Sequence, residues 1–258
     1  KELASEPMQI QGLPDGFKEG PYAFKHNNKY YLTFPWVQDK TETLAYAMAD
    51  SPMGPFTFTG IIMDESPSGC WTNHHSITEY NGQWYLFYHH NDYSPNFDKN
   101  RSARIDSLFF NTDGTIKKVK PTLRGVGITD ARSKIQIDRY STISPYGVTI
   151  DYLEPSNTFE GWQTLFNRAG TWVTYNKVDF GTTPVKRLKA RVRSEKGGAI
   201  TLRTPGEKGM TIAELPIKPT GKWTEISTNV SNAPTSMQDL IITQTGENPV
   251  AVDWISFE

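Results

Sequence analysis

Residues 28–34 read Asn28-Lys29-Tyr30-Tyr31-Leu32-Thr33-Phe34, and residues 82–88 read Gly82-Gln83-Trp84-Tyr85-Leu86-Phe87-Tyr88. Each is a turn residue followed by aromatic, aliphatic and β-branched side chains, the composition of a strand leaving a tight turn. The aromatic pairs stand 54 positions apart, and a repeat of roughly 50 residues with a few strands per unit is the pattern of propeller blades. The two stretches also read as hairpins that are alike by chance. Between them, Leu44-Ala45-Tyr46-Ala47-Met48-Ala49 alternates weakly and runs into Asp50-Ser51-Pro52-Met53-Gly54-Pro55-Phe56, a turn before a strand at Phe56-Thr57-Phe58.

Outside these stretches helical periodicity is almost absent, so the chain reads as all-β. Asn111 to Ile116 carries Asp113-Gly114 at its centre, a hairpin signal. The lysine-rich run Lys117–Lys120 and the glycines Gly125 and Gly127 then mark a change of unit. The expected division is a first domain over 1–125, a linker over 126–133 and a second domain over 134–258. In the second domain short strands recur, among them Trp172–Tyr175, Leu188–Arg193, Ala199–Leu202 and Asp253–Phe257. Such density of short strands predicts a two-sheet β-sandwich of jelly-roll type.

Composition excludes several functions. Lys and Arg number 27 against 28 Asp and Glu, leaving no basic footprint for nucleic acid or an acidic membrane. No apolar run approaches the ~20 residues of a membrane helix. A single cysteine, Cys70, excludes an internal disulfide and a multi-cysteine metal site. The excess lies in aromatics, with 7 Trp, 12 Tyr and 13 Phe, which build compact β cores or offer flat platforms to sugars. The sequence opens at Lys1 without the charged and apolar regions of a leader, so any signal peptide is expected to have been removed or to lie upstream.

Three clusters carry candidate chemistry. In Phe17-Lys18-Glu19-Gly20-Pro21-Tyr22, glycine and proline fix the backbone and hold a carboxylate among aromatics, surroundings that raise a carboxyl pKa towards the range of a general acid. Glu19 equally reads as an ordinary loop glutamate. Trp71-Thr72-Asn73-His74-His75-Ser76 sets two histidines on opposite faces of a strand, so that at most one meets a given site. Tyr88-His89-His90-Asn91-Asp92 precedes Arg101-Ser102-Ala103-Arg104, where a guanidinium fork could hold a sugar or stand simply solvated.

Taken in order, these stretches resemble glycoside hydrolase family 43. The match runs from Glu19-Gly20-Pro21 and Tyr30-Tyr31-Leu32 through Ala45-Tyr46-Ala47, Asp50–Phe56, His74-His75-Ser76 and Trp84–His89. It closes with Arg101-Ser102 and Leu108–Gly114, covering about residues 1–125. The resemblance implies part of a five-bladed β-propeller that hydrolyses arabinose- or xylose-containing polysaccharide with inversion. It implies Glu19 as general acid, His74 at a polar centre that in many members helps hold calcium, and Arg101, with His75, as substrate contacts. Inversion also needs a carboxylate base, about 6.5–9.5 Å from the acid. In the family the base and a second, pKa-tuning aspartate precede the Glu-Gly-Pro motif by far more than 18 residues, the length available here. The first domain is thus expected to be a carboxy-terminal part of the propeller, with an amino-terminal segment missing or supplied by another chain.

The second half resembles carbohydrate-binding module family 6. The matching residues are Ile135–Tyr140, Gly170–Tyr175 with Val178–Gly181, Pro219–Trp223 and the ending Asp253-Trp254-Ile255-Ser256-Phe257. The resemblance implies a loop-end cleft in which Phe166 and Trp223 sandwich a sugar. It also implies calcium at Asp138 and Asp253, although plain surface aspartates are the other reading. At the family's sugar-binding asparagine this sequence has Ala251, which removes a polar contact. Trp223 also reads as a packing residue. The function expected is part of a secreted or periplasmic arabinofuranosidase or β-xylosidase acting on arabinoxylan or xylo- and arabino-oligosaccharides. The alternative is a non-catalytic polysaccharide-binding protein.

Overall fold

A computed structural model describes residues 6–93, 99, 101–207 and 209–258, which divide into two compact units between Pro121 and Thr122. Residues 1–5, at the expected start of the first domain, lie outside the described residues. Among those described there is no α-helix, only single 3-10 turns at Ile137–Arg139 and Thr158–Glu160.

The first unit consists of two antiparallel meanders, the repeating element of a propeller. β1 (Tyr22–His26), β2 (Lys29–Val37), β3 (Glu42–Ala49) and β4 (Thr57–Met63) pair in chain order, and β5 (His75–Tyr80), β6 (Gln83–His90) and β7 (Ser102–Leu108) do the same. The repeat in the sequence is the second strand of each meander together with the turn that precedes it. Asn27-Asn28 and Asn81-Gly82 all have positive φ, the two-residue hairpin turn whose twist matches the flanking strands. These turns fix the registers His26↔Lys29 and Tyr80↔Gln83. Tyr31, Leu44, Tyr46, Ile62 and Met63 of the first meander form a buried cluster with Ile77, Leu86, Tyr88 and Leu108 of the second. The hairpin at Asp113-Gly114 is tied to it: Tyr31 Oη donates to the Gly114 carbonyl at 2.6 Å, and the Ile116 amide donates to Tyr46 Oη at 3.0 Å.

The second unit contains β8 (Thr129–Asp130), β9 (Ile135–Gln136), β10 (Thr142–Ile143), β11 (Val148–Tyr152), β12 (Trp162–Phe166), β13 (Trp172–Asp179), β14 (Arg187–Arg193), β15 (Gly198–Arg203), β16 (Thr211–Ile217), β17 (Thr224–Asn229), β18 (Met237–Gln244) and β19 (Val250–Phe257). One sheet runs β10-β13-β18-β15-β16 with β8 beside β13, and the other runs β11-β12-β19-β14-β17 with β9 beside β19. One buried cluster fills the sandwich. Strand β14 shows the pattern that builds it: Leu188, Ala190 and Val192 are buried while Arg187, Lys189, Arg191 and Arg193 face out.

The stretch expected as a linker belongs to this unit. Thr129 and Asp130 pair in parallel with Val178 and Asp179, Ala131 is fully buried, and Arg124 stacks on Tyr175 and donates to the Asn176 carbonyl. Its glycines and polar residues resemble a linker in composition. Backbone pairing, which composition does not report, draws it into the sheet.

Candidate active site and candidate sugar cleft

The segment before β1 is pinned by its aromatics. Phe17 meets Phe34 edge-on at 5.2 Å, and Trp36 Nε1 donates to the Asp15 carbonyl at 3.0 Å. Gly20 then turns with φ +65°, and a Cβ there would stand 3.1 Å from both His74 Nε2 and the Pro35 ring. Only a residue without a side chain lets the loop close this far onto His74. The result is Glu19 Oε1 at 3.6 Å from His74 Nε2, with the Glu19 side chain 66% exposed. The aromatics therefore anchor the loop and do not enclose the carboxylate, contrary to the expectation from sequence.

His74 is placed from beneath by Glu42, the first residue of β3. Glu42 Oε2 accepts the Asn73 amide at 2.8 Å. Burial holds the Glu42 carboxyl above its usual range, opposed by the Asn73 amide and His74 and reinforced by Glu19. His89 lies 6.4 Å from His74 between ring centroids, its Nε2 at 3.2 Å from Thr72 Oγ1. Burial, then the electrostatic influence of Arg101 and of the neighbouring His74, lower its pKa to about 4. Glu19, His74, His89 and Arg101 thus share one electrostatic neighbourhood.

His75 is not part of it. Its Nε2 lies 2.6 Å from Thr33 Oγ1, which in turn donates to the Tyr22 carbonyl at 3.0 Å, so the imidazole is the donor to Thr33 and its Nδ1 is a buried acceptor without a partner. Burial and the neighbouring His74 hold its pKa at about 4. The expected substrate contact is an internal brace between the meanders. His90 is likewise interior and neutral: burial, then Arg104, lower its pKa to about 3. Its contact with Asp92 at 3.9 Å is therefore not a salt bridge, and Asp92 pairs with Arg104.

In the sandwich the expected sugar platform changes by one residue. Phe166 has 0% exposure inside the core, whereas Leu165 pairs with Ala251, which pairs in turn with Arg193, on the outer face. A strand alternates with period two, so an assignment one position off exchanges core for surface. Trp223 is on the outside but covered: the guanidinium groups of Arg191 and Arg193 stand 5.4 and 5.0 Å over its ring, and its Nε1 is buried without a partner.

Residues 5–116 match the family model described as glycosyl hydrolases family 43, and residues 144–258 match that of carbohydrate binding module (family 6). The chain joins a family 43 hydrolase segment to a family 6 module. An arabinoxylan arabinofuranohydrolase of Paenibacillus polymyxa is 28% identical over 258 residues, covering 88% of this chain and 40% of that protein. A beta-xylosidase of Xylanibacter ruminicola is 43% identical over 109 residues, covering 42% of this chain and 32% of that protein. The crystal structure of a family 43 arabinoxylan arabinofuranohydrolase from Bacillus subtilis, in complex with cellotetraose, shares the fold. Its TM-score is 0.57 at 24% identity, over 94% of this chain and 54% of that one. The chain thus spans about 40% and 32% of the two curated relatives.

Calcium does not fit the residues expected to hold it. In the module, Asp253 accepts from Arg191 Nη1 at 2.7 Å and Asp138 accepts from Arg139 Nε at 3.2 Å. Lys134 lines the same cleft. Calcium wants six to eight oxygens, and here each carboxylate already meets a guanidinium. In the hydrolase segment His74 meets Glu19. Among the described residues no three His, Cys, Asp or Glu side chains converge as a metal set. Sequence reasoning had no signal for Glu42, which lies just before the alternating stretch Leu44–Ala49 and reaches the site through the pairing of β2 with β3.

Proposed function

We propose that the hydrolase segment supplies the general acid of an inverting glycosidase acting on arabinose- or xylose-containing polysaccharide. The observation that carries this reading is the Glu19–His74 contact, made by the left-handed turn at Gly20 within the stretch that matches family 43. Glu19, exposed and beside an imidazole, gives its proton to the leaving oxygen of the glycosidic bond. We assign to Arg101, whose charge reaches His89, the holding of a sugar hydroxyl or carboxylate by its guanidinium. A carboxylate base on the opposite face of the sugar activates the water, and we assign it to the aspartates that the family carries ahead of the Glu-Gly-Pro motif. The substrate class follows the names of the relatives, arabinoxylan arabinofuranohydrolase and beta-xylosidase.

The module is the polysaccharide-binding unit of this enzyme, and a secreted or periplasmic location suits such a substrate. Among the described residues no helix is long and apolar enough to cross a membrane. With Phe166 in the core, Trp223 covered and Ala251 in place of an amide, neutral xylo-oligosaccharides bind no tighter than about millimolar. The test is catalytic. These 258 residues alone release no nitrophenol from nitrophenyl arabinofuranoside or xyloside, because the water lacks its base. Turnover by them at rates typical of enzymes would overturn the assignment of the base.

A further inference from the structure

At the end of the module where β12, β14 and β19 meet lies a cleft of about 340 Å³, bordered by Leu165, Ala251, Asn248, Arg193, Glu195 and Lys196. Its floor is apolar, because the cross-strand row Leu165, Ala251, Arg193 places two short aliphatic side chains beside the guanidinium. Its rim is basic, with Arg193 and Lys196 against the carboxylate of Glu195, and beyond the lining the charge of Arg193 also reaches Glu154. Among the described residues, neither Arg193 nor Lys196 has a carboxylate within ion-pair distance. The Ser194 hydroxyl is already committed to the Gly197 and Pro249 carbonyls. Arg193 is also held in place, because its guanidinium rests on the Trp223 ring. A cation over an indole face is attracted to it and gives up side-chain freedom before any ligand arrives.

A neutral pyranose finds no bare aromatic ring here and one side-chain amide, that of Asn248 on the border. An anionic sugar finds what the site offers, since a planar carboxylate matches the guanidinium fork with two parallel hydrogen bonds. We propose that this cleft binds a uronic acid residue carried by a substituted xylan. Arg193 takes the carboxylate, Lys196 supplies the second charge, and Leu165 and Ala251 lie against the sugar ring. The inference rests on reading the module as a polysaccharide-binding unit and adds the class of sugar it selects.

The test is affinity electrophoresis of the 258-residue chain in gels containing glucuronoxylan, the same polymer after reduction of its carboxyl groups, or polygalacturonate. Retardation by glucuronoxylan is expected to exceed that by the reduced polymer by about tenfold in apparent affinity, and to fall as salt is raised. Lys196→Ala, at an exposed loop position, and Arg193→Lys, which keeps the charge and removes the fork, should each weaken retention by glucuronoxylan and leave thermal unfolding unchanged. Equal retardation by native and reduced polymers would overturn the uronate assignment and leave polysaccharide binding standing. Retardation by neither polymer, from a folded chain, would overturn both. Polygalacturonate binding as tight as glucuronoxylan binding would show a general polyanion patch and overturn the assignment to xylan.

Discussion

Gly20 does more for the candidate active site than its lack of side chain suggests, because its left-handed turn sets the distance between Glu19 and His74. Gly20→Ala would force a Cβ to within 3.1 Å of His74 Nε2 and Pro35 at φ +65°, a conformation that costs an alanine about 1–2 kcal/mol. The expected outcome is a lower melting temperature for the first unit and a changed His74 imidazole shift by NMR. An unchanged His74 would show that the loop is not set by this turn. A second residue-scale test concerns the register of β12. Phe166→Ala should cost about 3–5 kcal/mol of module stability, as for a buried aromatic, and Leu165→Ala well under half of that in chemical denaturation. The reverse order would mean that Phe166 is the outward residue.

At the scale of elements, what could be read from sequence depended on whether a local signal exists. The β2 and β6 repeat was legible because each strand follows a hairpin turn with its own residue signature, Asn27-Asn28 or Asn81-Gly82. Strand β14 was legible from strict alternation. Strand β12 (Trp162–Phe166) carried no such signal: Phe166 was named only through the resemblance to the module family, and since Leu165 and Phe166 are both apolar the sequence does not choose which of them faces out. Strand β8 has two residues, too short for any periodicity, and the covering of Trp223 comes from the outward row of a neighbouring strand. The boundary follows from this. A polypeptide of residues 122–258 should melt cooperatively and at a higher temperature than one of residues 134–258, which lacks β8, the buried Ala131 and the stack of Arg124 on Tyr175. Equal melting temperatures would restore the stretch to the role of a linker.

At the scale of the whole molecule the two units should respond differently to acid. All five histidines precede residue 122, and burial lowers the pKa of His75, His89 and His90 to about 4, 4 and 3. A base whose pKa is depressed by folding binds its proton better when unfolded, so the stability these three histidines contribute to the first unit is full above about pH 6.5 and is lost as pH falls towards 4, with Glu42, raised by burial, acting in the opposite sense. The module has no histidine. Its exposed Glu154 has a pKa lowered by hydrogen bonds from Ser156, and its buried Asp253 has a pKa raised by burial against the pull of Arg191 and Lys134. That group favours the folded state more as pH falls. Calorimetry of the chain between pH 7 and pH 4, with transitions assigned by indole resonances, should show the first unit's melting temperature falling while the module's holds. A parallel fall of both would place the acid-sensitive groups elsewhere.

The same scale contains the main claim, that Glu19 is the proton donor of a glycosidase whose base lies on other blades. The most direct measurement compares Glu19→Ala with the parent sequence in the protein that carries the base, using arabinoxylan and a dinitrophenyl glycoside. A general acid is needed only where the leaving oxygen requires a proton. Turnover on arabinoxylan should therefore fall by ~10²–10⁴-fold and turnover on the dinitrophenyl glycoside far less, whereas equal losses on the two substrates would contradict the assignment of Glu19 as the acid.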